Sequence, residues 1–373
     1  MTHRCFLFAM ALLCPVALSA PGLMAAEPSA TADSSPNPLD AFKRDEVDKS
    51  VDKAMAFLVS RQNKSEGWIN DRNSNHTAMT SLAIMALASV GHQPADPTPE
   101  GRAMSRALDY VLRDDRTDQR GYLGGRDGSR MYGHGIATLM LSEMIGMSLD
   151  RDQDARVRKR LEQAVQLILD AQRVPKDSNN RGGWRYVPDS RDSDLSVSVW
   201  QVMALRSAKG AGIDVPAAAI QDAVGYLKRS YYSPLDSQGR PTKKKSGFAY
   251  QPRGGPQYPM CAAGLLSMQV CGEYDSPFVA GAADWLAEYK IDKNSERWFF
   301  YGTYYYAQGM YQRGGKYAEM AEKKVRELLL PSQKGDGSWD AHHSEGSAGR
   351  VYSTSLAVLC LSVKYHYLPI YQR

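Results

Sequence analysis

A repeated signature constrains this chain more than any other feature. Three segments share one pattern: FLVSRQNKSEGW at 57–68, LILDAQ at 167–172 followed by GGW at 182–184, and LLLPSQKGDGSW at 328–339. Each has an apolar pair, three residues, Gln, a short loop, then Gly and Trp. Worn copies lie between them. Tyr110-Val111 precedes Gly121-Tyr122, Tyr226-Leu227 precedes Gly247-Phe248, and Trp285-Leu286 precedes Trp298. The apolar pairs therefore begin at 57, 110, 167, 226, 285 and 328. A self-similar period of this length marks stacked units of supersecondary structure.

After each aromatic comes a second apolar stretch: TAMTSLAIMALASV, YGHGIATLMLSEMIG, SVSVWQVMALRSA, PMCAAGLLSMQVCG, YGTYYYAQGMYQRG and YSTSLAVLCLSVKY. A helix apolar on most of its sides is a buried helix, whereas the charged, amphipathic stretches before the signatures read as surface helices. Each unit is thus an outer helix, a loop and an inner helix. One such pair cannot bury its own apolar face, so neighbours must stack. Six pairs predict an all-α (α/α)6 toroid of twelve helices in six helical-hairpin repeats. The alternative, an open solenoid, needs polar capping repeats, and the first and last repeats here are among the most regular. The Trp is expected to pack over the loop, with the Gln amide bonding backbone groups at the helix end.

The remainder of the chain fits an exported protein. Arg4, the apolar run Cys5–Leu13 and the small residues up to Ala26 have the pattern of a secretory signal peptide at 1–26. Residues 27–44, rich in Pro, Ser and Ala, read as a disordered linker, and 45–373 as the toroid. The expected location is periplasmic or secreted. No later segment is long and apolar enough to span a membrane. With 46 Lys and Arg against 41 Asp and Glu, the net charge of +5 does not mark a nucleic-acid binder. Cys261, Cys271 and Cys360 cannot all pair, so disulfides are not the organising device.

The signature resembles the QW repeat of squalene–hopene cyclases and related terpene cyclases, over about residues 45–367. That resemblance implies the α/α barrel also found in protein prenyltransferase β subunits. It implies less about chemistry. The cyclase acid motif D-x-D-D has its nearest string at Asp192-Ser193-Asp194-Leu195, where Asp194 matches the acid and Leu195 replaces the last carboxylate. The D-x-C of the prenyltransferase zinc site is missing from this sequence. Cys271-Gly272-Glu273-Tyr274 resembles the complement-type thioester string, but Tyr274 stands where the Gln carbonyl is required.

Register of the inner helices aligns His76, Tyr132, Leu195, Tyr258, Tyr301 and Tyr352 at one end of the ring. Helix N-termini converging there carry unpaired N–H groups and partial positive charge, which suits an anion. The long loop 231–257, with Lys244 and Arg253, is placed to cover this mouth. Candidate ligand-binding residues are therefore His76, Tyr132, Tyr258, Tyr301, Tyr304, Tyr352, Lys244 and Arg253. Asp194, Asp192 and His134 are the titratable candidates for catalysis, with helix capping as the plainer role of the two aspartates. No spaced metal motif stands out, and no cofactor is implied. The 21 Tyr against 8 Phe favour polar-tipped rings, and so an amphiphile or a carbohydrate over a bare hydrocarbon. The leading expectation is a toroid binding an amphiphilic or anionic ligand at a tyrosine-rich mouth. The rivals are an isoprenoid cyclase using Asp194, a polysaccharide lyase or hydrolase, and a scaffold whose mouth is plugged by its own loops.

Overall fold

Helices apolar on every side and helices with one apolar stripe alternate along the chain, and the architecture follows from that alternation. The computed structural model describes residues 44–72, 74–365 and 367–372. The expected export signal and linker fall outside the described residues, except Arg44. Among the described residues are twelve α-helices: α1 Glu46–Ser60, α2 His76–Ala88, α3 Pro99–Leu112, α4 Arg130–Glu143, α5 Arg151–Arg173, α6 Leu195–Gly210, α7 Ala217–Ser230, α8 Tyr258–Val270, α9 Pro277–Glu288, α10 Phe299–Arg313, α11 Gly315–Leu329 and α12 Arg350–Leu361. Every residue of α8 is buried. In α5 the buried positions Val157, Leu161, Ala164 and Ile168 trace a single stripe at helical spacing.

Each even-numbered helix packs on the next, and α12 packs on α2, so the inner helices close into a ring. The odd-numbered helices lie outside it, and α1 contacts both α3 and α12. This is the expected (α/α)6 toroid, and the open solenoid is set aside.

The Gln of each strong repeat reaches further than its own helix end. Gln62 Nε2 donates to Gly67 O and, at 2.8 Å, to Ala103 O of the next outer helix. Gln172 does the same with Gly182 O and Ala219 O. Gln333 bonds Gly337 O and Ser50 O, tying the last repeat to the first. Trp184 and Trp339 are fully buried, and their Nε1–H groups donate to Ile168 O and Leu329 O in the preceding outer helices. Gly337 shows why the motif needs glycine. Its φ is +86°, and a Cβ there would lie 2.2 Å from Lys53 O of α1.

The two ends of the ring are connected differently. Outer-to-inner connections are long, as at 174–194, 231–257 and 330–349. Inner-to-outer connections are short, as at 144–150, 211–216 and 271–276. Beyond α12 the chain makes a last turn of 3-10 helix, Pro369–Tyr371, against α6.

Candidate functional site

At the expected mouth, the inner-helix N-termini are met by carboxylates from the protein itself. Asp71, from the α1–α2 loop, accepts from Arg350 N and Val351 N of α12 at 3.1 Å each. Asp127, from the α3–α4 loop, accepts from Ala78 N of α2. Glu345, from the α11–α12 loop, accepts from Phe300 N and Tyr301 N of α10. Asp194 caps its own helix through Val197 N at 3.0 Å. Three of these four caps cross from one repeat to its neighbour. The N-terminal dipoles of four of the six inner helices, α2, α6, α10 and α12, are thus already met by carboxylates.

The tyrosines are engaged as well. Tyr132 OH shares a 2.5 Å hydrogen bond with Ser196 Oγ, and Tyr301 OH donates to Ser196 O. Tyr352 OH donates to Glu345 Oε1, and Tyr258 OH to Thr303 Oγ1. His76 stacks on Trp68 with ring centroids 4.2 Å apart, and its Nδ1 meets Asn70. Tyr304 lies deeper, in the lumen, against Trp200. Lys244 and Arg253 are exposed, and the Lys244 carbonyl lies against Gly281 of the outer helix α9. The structure thus brings Tyr132, Tyr301 and Tyr352 together with Asp194 and Glu345, and leaves Lys244 against the outer layer.

The catalytic candidates are held as follows. Asp194 is fully buried. Oδ1 accepts from Ser196 Oγ at 2.6 Å, and Oδ2 faces Arg185 Nε at 3.3 Å. Burial raises its carboxyl above the usual range, against the pull of Ser196, the Val197 amide and Arg185. Asp192 is exposed and pairs with Arg185 at 2.7 Å. His134 is fully buried, accepting at Nδ1 from Leu123 N and facing Ala164 O from Nε2. A backbone N–H only donates and a carbonyl only accepts, so the proton sits on Nε2. Burial lowers its pKa to about 4, which keeps the ring neutral. Among the described residues no group of three His, Cys, Asp or Glu is placed to hold a metal ion, and Cys261, Cys271 and Cys360 are free.

The lumen is filled by the chain's own aromatics. Trp200 of α6 stacks on Tyr304 of α10, with centroids 5.7 Å apart and planes 10° from parallel. Tyr301 and Tyr305 stand edge-on to the same indole. Tyr371, from the C-terminal turn, bonds Tyr304 hydroxyl to hydroxyl.

A cavity of about 790 Å³ opens at the opposite end, where the inner helices finish. Ser142 and Glu143 of α4, Arg206 and Ser207 of α6, and Arg313 of α10 line it with Asp275 and the C-terminal turn. Ser207 Oγ donates to Glu143 Oε1, and Ile370 N donates to Oε2 at 3.2 Å. Burial pushes the Glu143 carboxyl up to about 7, against the pull of those two hydrogen bonds. Arg206 Nε donates to Val270 O, the last carbonyl of α8, and Arg313 Nη1 to Tyr274 O. Arg313 Nε is buried with no hydrogen-bond partner among the described residues. Arg206 therefore stands on the carbonyl end of α8, where cations are attracted, while Arg313, in the last turn of α10, reaches the turn after α8.

Sequence reasoning missed this cluster, although a signal was present. The six inner stretches contain four Lys, Arg, Asp or Glu side chains: Glu143, Arg206, Arg313 and Lys364. Lys364 pairs with Asp45 and Asp48 of α1, and the other three line the cavity.

Closed ring, filled lumen and polar end cavity together define an α/α toroid, and comparison with known proteins agrees. No family model and no curated protein matches the sequence. Solved structures match at the level of fold. Cellobiose 2-epimerase from Bacillus thermoamylovorans is similar with a TM-score of 0.60 and 10% identity, covering 87% of this chain and 98% of that one. An inactive variant of α-1,6-mannanase from Salegentibacter, in complex with α-1,6-mannotriose, matches with a TM-score of 0.56 and 11% identity over 85% and 98% of the two chains. A variant of the type II terpene cyclase MstE from Scytonema, in complex with geranylgeranyl dihydroxybenzoate, matches with a TM-score of 0.54 and 16% identity over 87% and 98%. The chain is structurally similar to terpene cyclases and equally to carbohydrate-active toroids.

Proposed function

We propose that this toroid binds a polyhydroxylated ligand of saccharide type, in the polar cavity at the C-terminal ends of the inner helices. The observation that carries the reading is the pair Arg206 and Arg313 in the cavity wall, each tied through one guanidinium nitrogen to a backbone carbonyl. Sugar hydroxyls both donate and accept. They suit a wall that offers guanidinium donors, the Asp275 carboxylate, the Ser142 and Ser207 hydroxyls and the Glu143 carboxyl. An isoprenoid chain would leave the guanidinium N–H groups not bonded to Val270 O and Tyr274 O without partners, at a cost of about 1–3 kcal/mol each. A small inorganic anion would sit against helix carbonyl ends, where the dipole disfavours it. The volume lies within the range of roughly 300–1,000 Å³ common to ligand pockets.

Among the similar folds, the mannanase complex holds a trisaccharide and the epimerase is named for a disaccharide, which accords with this ligand class. The cyclase reading through Asp194 has weaker support, because the lumen it requires is occupied by Trp200, Tyr304 and Tyr371. The mature protein is placed outside the cytoplasm on the N-terminal pattern alone, and N-terminal sequencing of the secreted fraction tests that.

The ligand reading is tested by calorimetry with neutral and acidic oligosaccharides on the full chain and on Arg206→Met and Arg313→Met. Each substitution is expected to weaken binding about tenfold, the equivalent of about 1.4 kcal/mol. Saccharide binding indifferent to both changes, or binding of an isoprenoid amphiphile in place of any saccharide, would overturn it.

A further inference from the structure

The two ends of the ring carry opposite charge. The six outer-to-inner connections, 61–75, 113–129, 174–194, 231–257, 289–298 and 330–349, hold twenty Lys and Arg against sixteen Asp and Glu. The inner-to-outer connections hold five acids, Asp96, Asp150, Asp214, Glu273 and Asp275, and no Lys or Arg. At the first end many carboxylates are already engaged. Four meet helix N-termini, and Asp115, Asp189 and Asp192 sit in ion pairs. Five arginines there are not engaged in this way. Arg72, Arg126, Arg191, Arg253 and Arg297 come one from each of the first five connections. All five are exposed, and none forms a salt bridge with a described residue. Neighbouring connections touch, so these charges share one surface. Arg120 pairs with Asp189, the Tyr186 and Tyr250 hydroxyls meet, and His343 Nε2 meets Asn294 O. Apolar side chains stand among the charges. Of seven large ones exposed among the described residues, Val187, Tyr232, Leu235 and Trp298 lie in these connections. Trp298, 46% exposed, follows Arg297 directly and immediately precedes α10.

We propose that this basic end of the ring docks on a lipid bilayer carrying anionic headgroups. The five free arginines come from five successive repeats, so they stand around the ring and not along one groove. An extended polymer follows a line and meets few of them at once, whereas a flat anionic surface meets them together. Their guanidinium forks match the oxygens of a phosphate. An exposed indole beside them suits the headgroup level of a bilayer, where one side is apolar and the other wet. The acidic connections at the opposite end are repelled by the same surface, which sets the orientation of docking. The end cavity then faces the solution. The proposal stands whether or not that cavity holds a saccharide.

The test is cosedimentation of the full chain with vesicles of phosphatidylcholine, alone or mixed with phosphatidylglycerol. Binding is expected to the mixed vesicles only, and to be lost as salt rises toward about 1 M. A triple variant, Arg72→Gln, Arg253→Gln and Arg297→Gln, is expected to bind at least about tenfold more weakly. The control is Lys49→Gln, Lys159→Gln and Lys323→Gln, three exposed lysines on the outer helices α1, α5 and α11. It makes the same change in net charge and is expected to bind as the parent does. All three proteins share residues 1–43, so the difference between them reads the face. Brominated acyl chains are expected to quench tryptophan fluorescence in the parent and much less in Trp298→Phe. Equal binding to both kinds of vesicle, equal loss in the two triple variants, or quenching unchanged in Trp298→Phe would overturn the proposal. So would binding to heparin with none to vesicles, which would assign the face to a soluble polyanion.

Discussion

Glu143 offers a direct test of the chemistry assigned to the end cavity. Its carboxyl is buried, and burial raises its pKa from 4.5 to about 7. Between those values the unfolded chain ionises while the folded protein keeps its proton. The unfolded state then binds fewer protons, so stability falls as pH rises from about 4.5 and levels off above about 7. One pKa unit is worth about 1.4 kcal/mol, so the whole fall amounts to about 3 kcal/mol. Glu143→Gln places a neutral amide in the same space. Its oxygen can accept from the Ile370 N–H, and its nitrogen can donate to the Ser207 hydroxyl, the two partners the carboxyl has now. The variant and the parent should therefore be close in stability at about pH 4.5, with the variant ahead by about 3 kcal/mol at about pH 9. Urea unfolding of both proteins at both pH values measures the difference directly. If the gap between them does not widen as pH rises, Glu143 is hydrated in the folded protein, and the account of this end of the ring is wrong.

Two further predictions address the ring itself. Gln333→Ala removes two hydrogen bonds, to Ser50 O and Gly337 O, and should cost about 1–3 kcal/mol, much as Gln172→Ala should in the middle of the chain. An open spiral would keep only the local Gly337 bond to lose at Gln333, about half the effect, so equal shifts in the denaturation midpoint distinguish the two architectures. Asp71→Ala strips the cap that the first repeat lends to α12 and should cost about 0.5–2 kcal/mol. The loss should appear as faster hydrogen exchange in the first turn of α12, with α6 unaffected because Asp194 caps it from its own chain segment.

The ring was legible because its signals are dense. Buried helices with few charges and amphipathic partners alternate six times, and Gln and Trp mark the corners. The Gln amide was expected to bond backbone groups at the helix end; it bonds the carbonyl of the loop glycine instead, at Gly67, Gly182 and Gly337. What the local pattern does not reveal is its second bond, to the neighbouring outer helix, because that carbonyl lies more than forty residues away at Ala103 and Ala219. The same limit explains the mouth. Register placed Tyr132, Tyr301 and Tyr352 at one end, but no spacing rule shows that Asp71, Asp127 and Glu345 arrive there from adjoining repeats. Asp194 could be read as a cap because its partner amide is three residues on. The cavity was missed for a different reason. Glu143, Arg206 and Arg313 lie in three separate repeats, and only ring closure brings them to one opening.

Connection length accounts for the difference between the two ends. A long outer-to-inner connection has backbone enough to cross a helix end and to bring a carboxylate to it, so the N-terminal face of the ring is closed and its helix dipoles are answered from within. A short inner-to-outer connection spends its few residues reversing direction. Ala211–Pro216 and Cys271–Ser276 do little more than that; Arg206 meets the last carbonyl of α8, and Arg313 meets Tyr274 O in the turn after it. A ligand site needs donors and acceptors that the fold has not used for itself. In a toroid with this pattern of connections, such groups persist at the end with short turns. The 3-10 turn Pro369–Tyr371 after α12 lies at that end, with Tyr371 bonded to Tyr304 inside the ring.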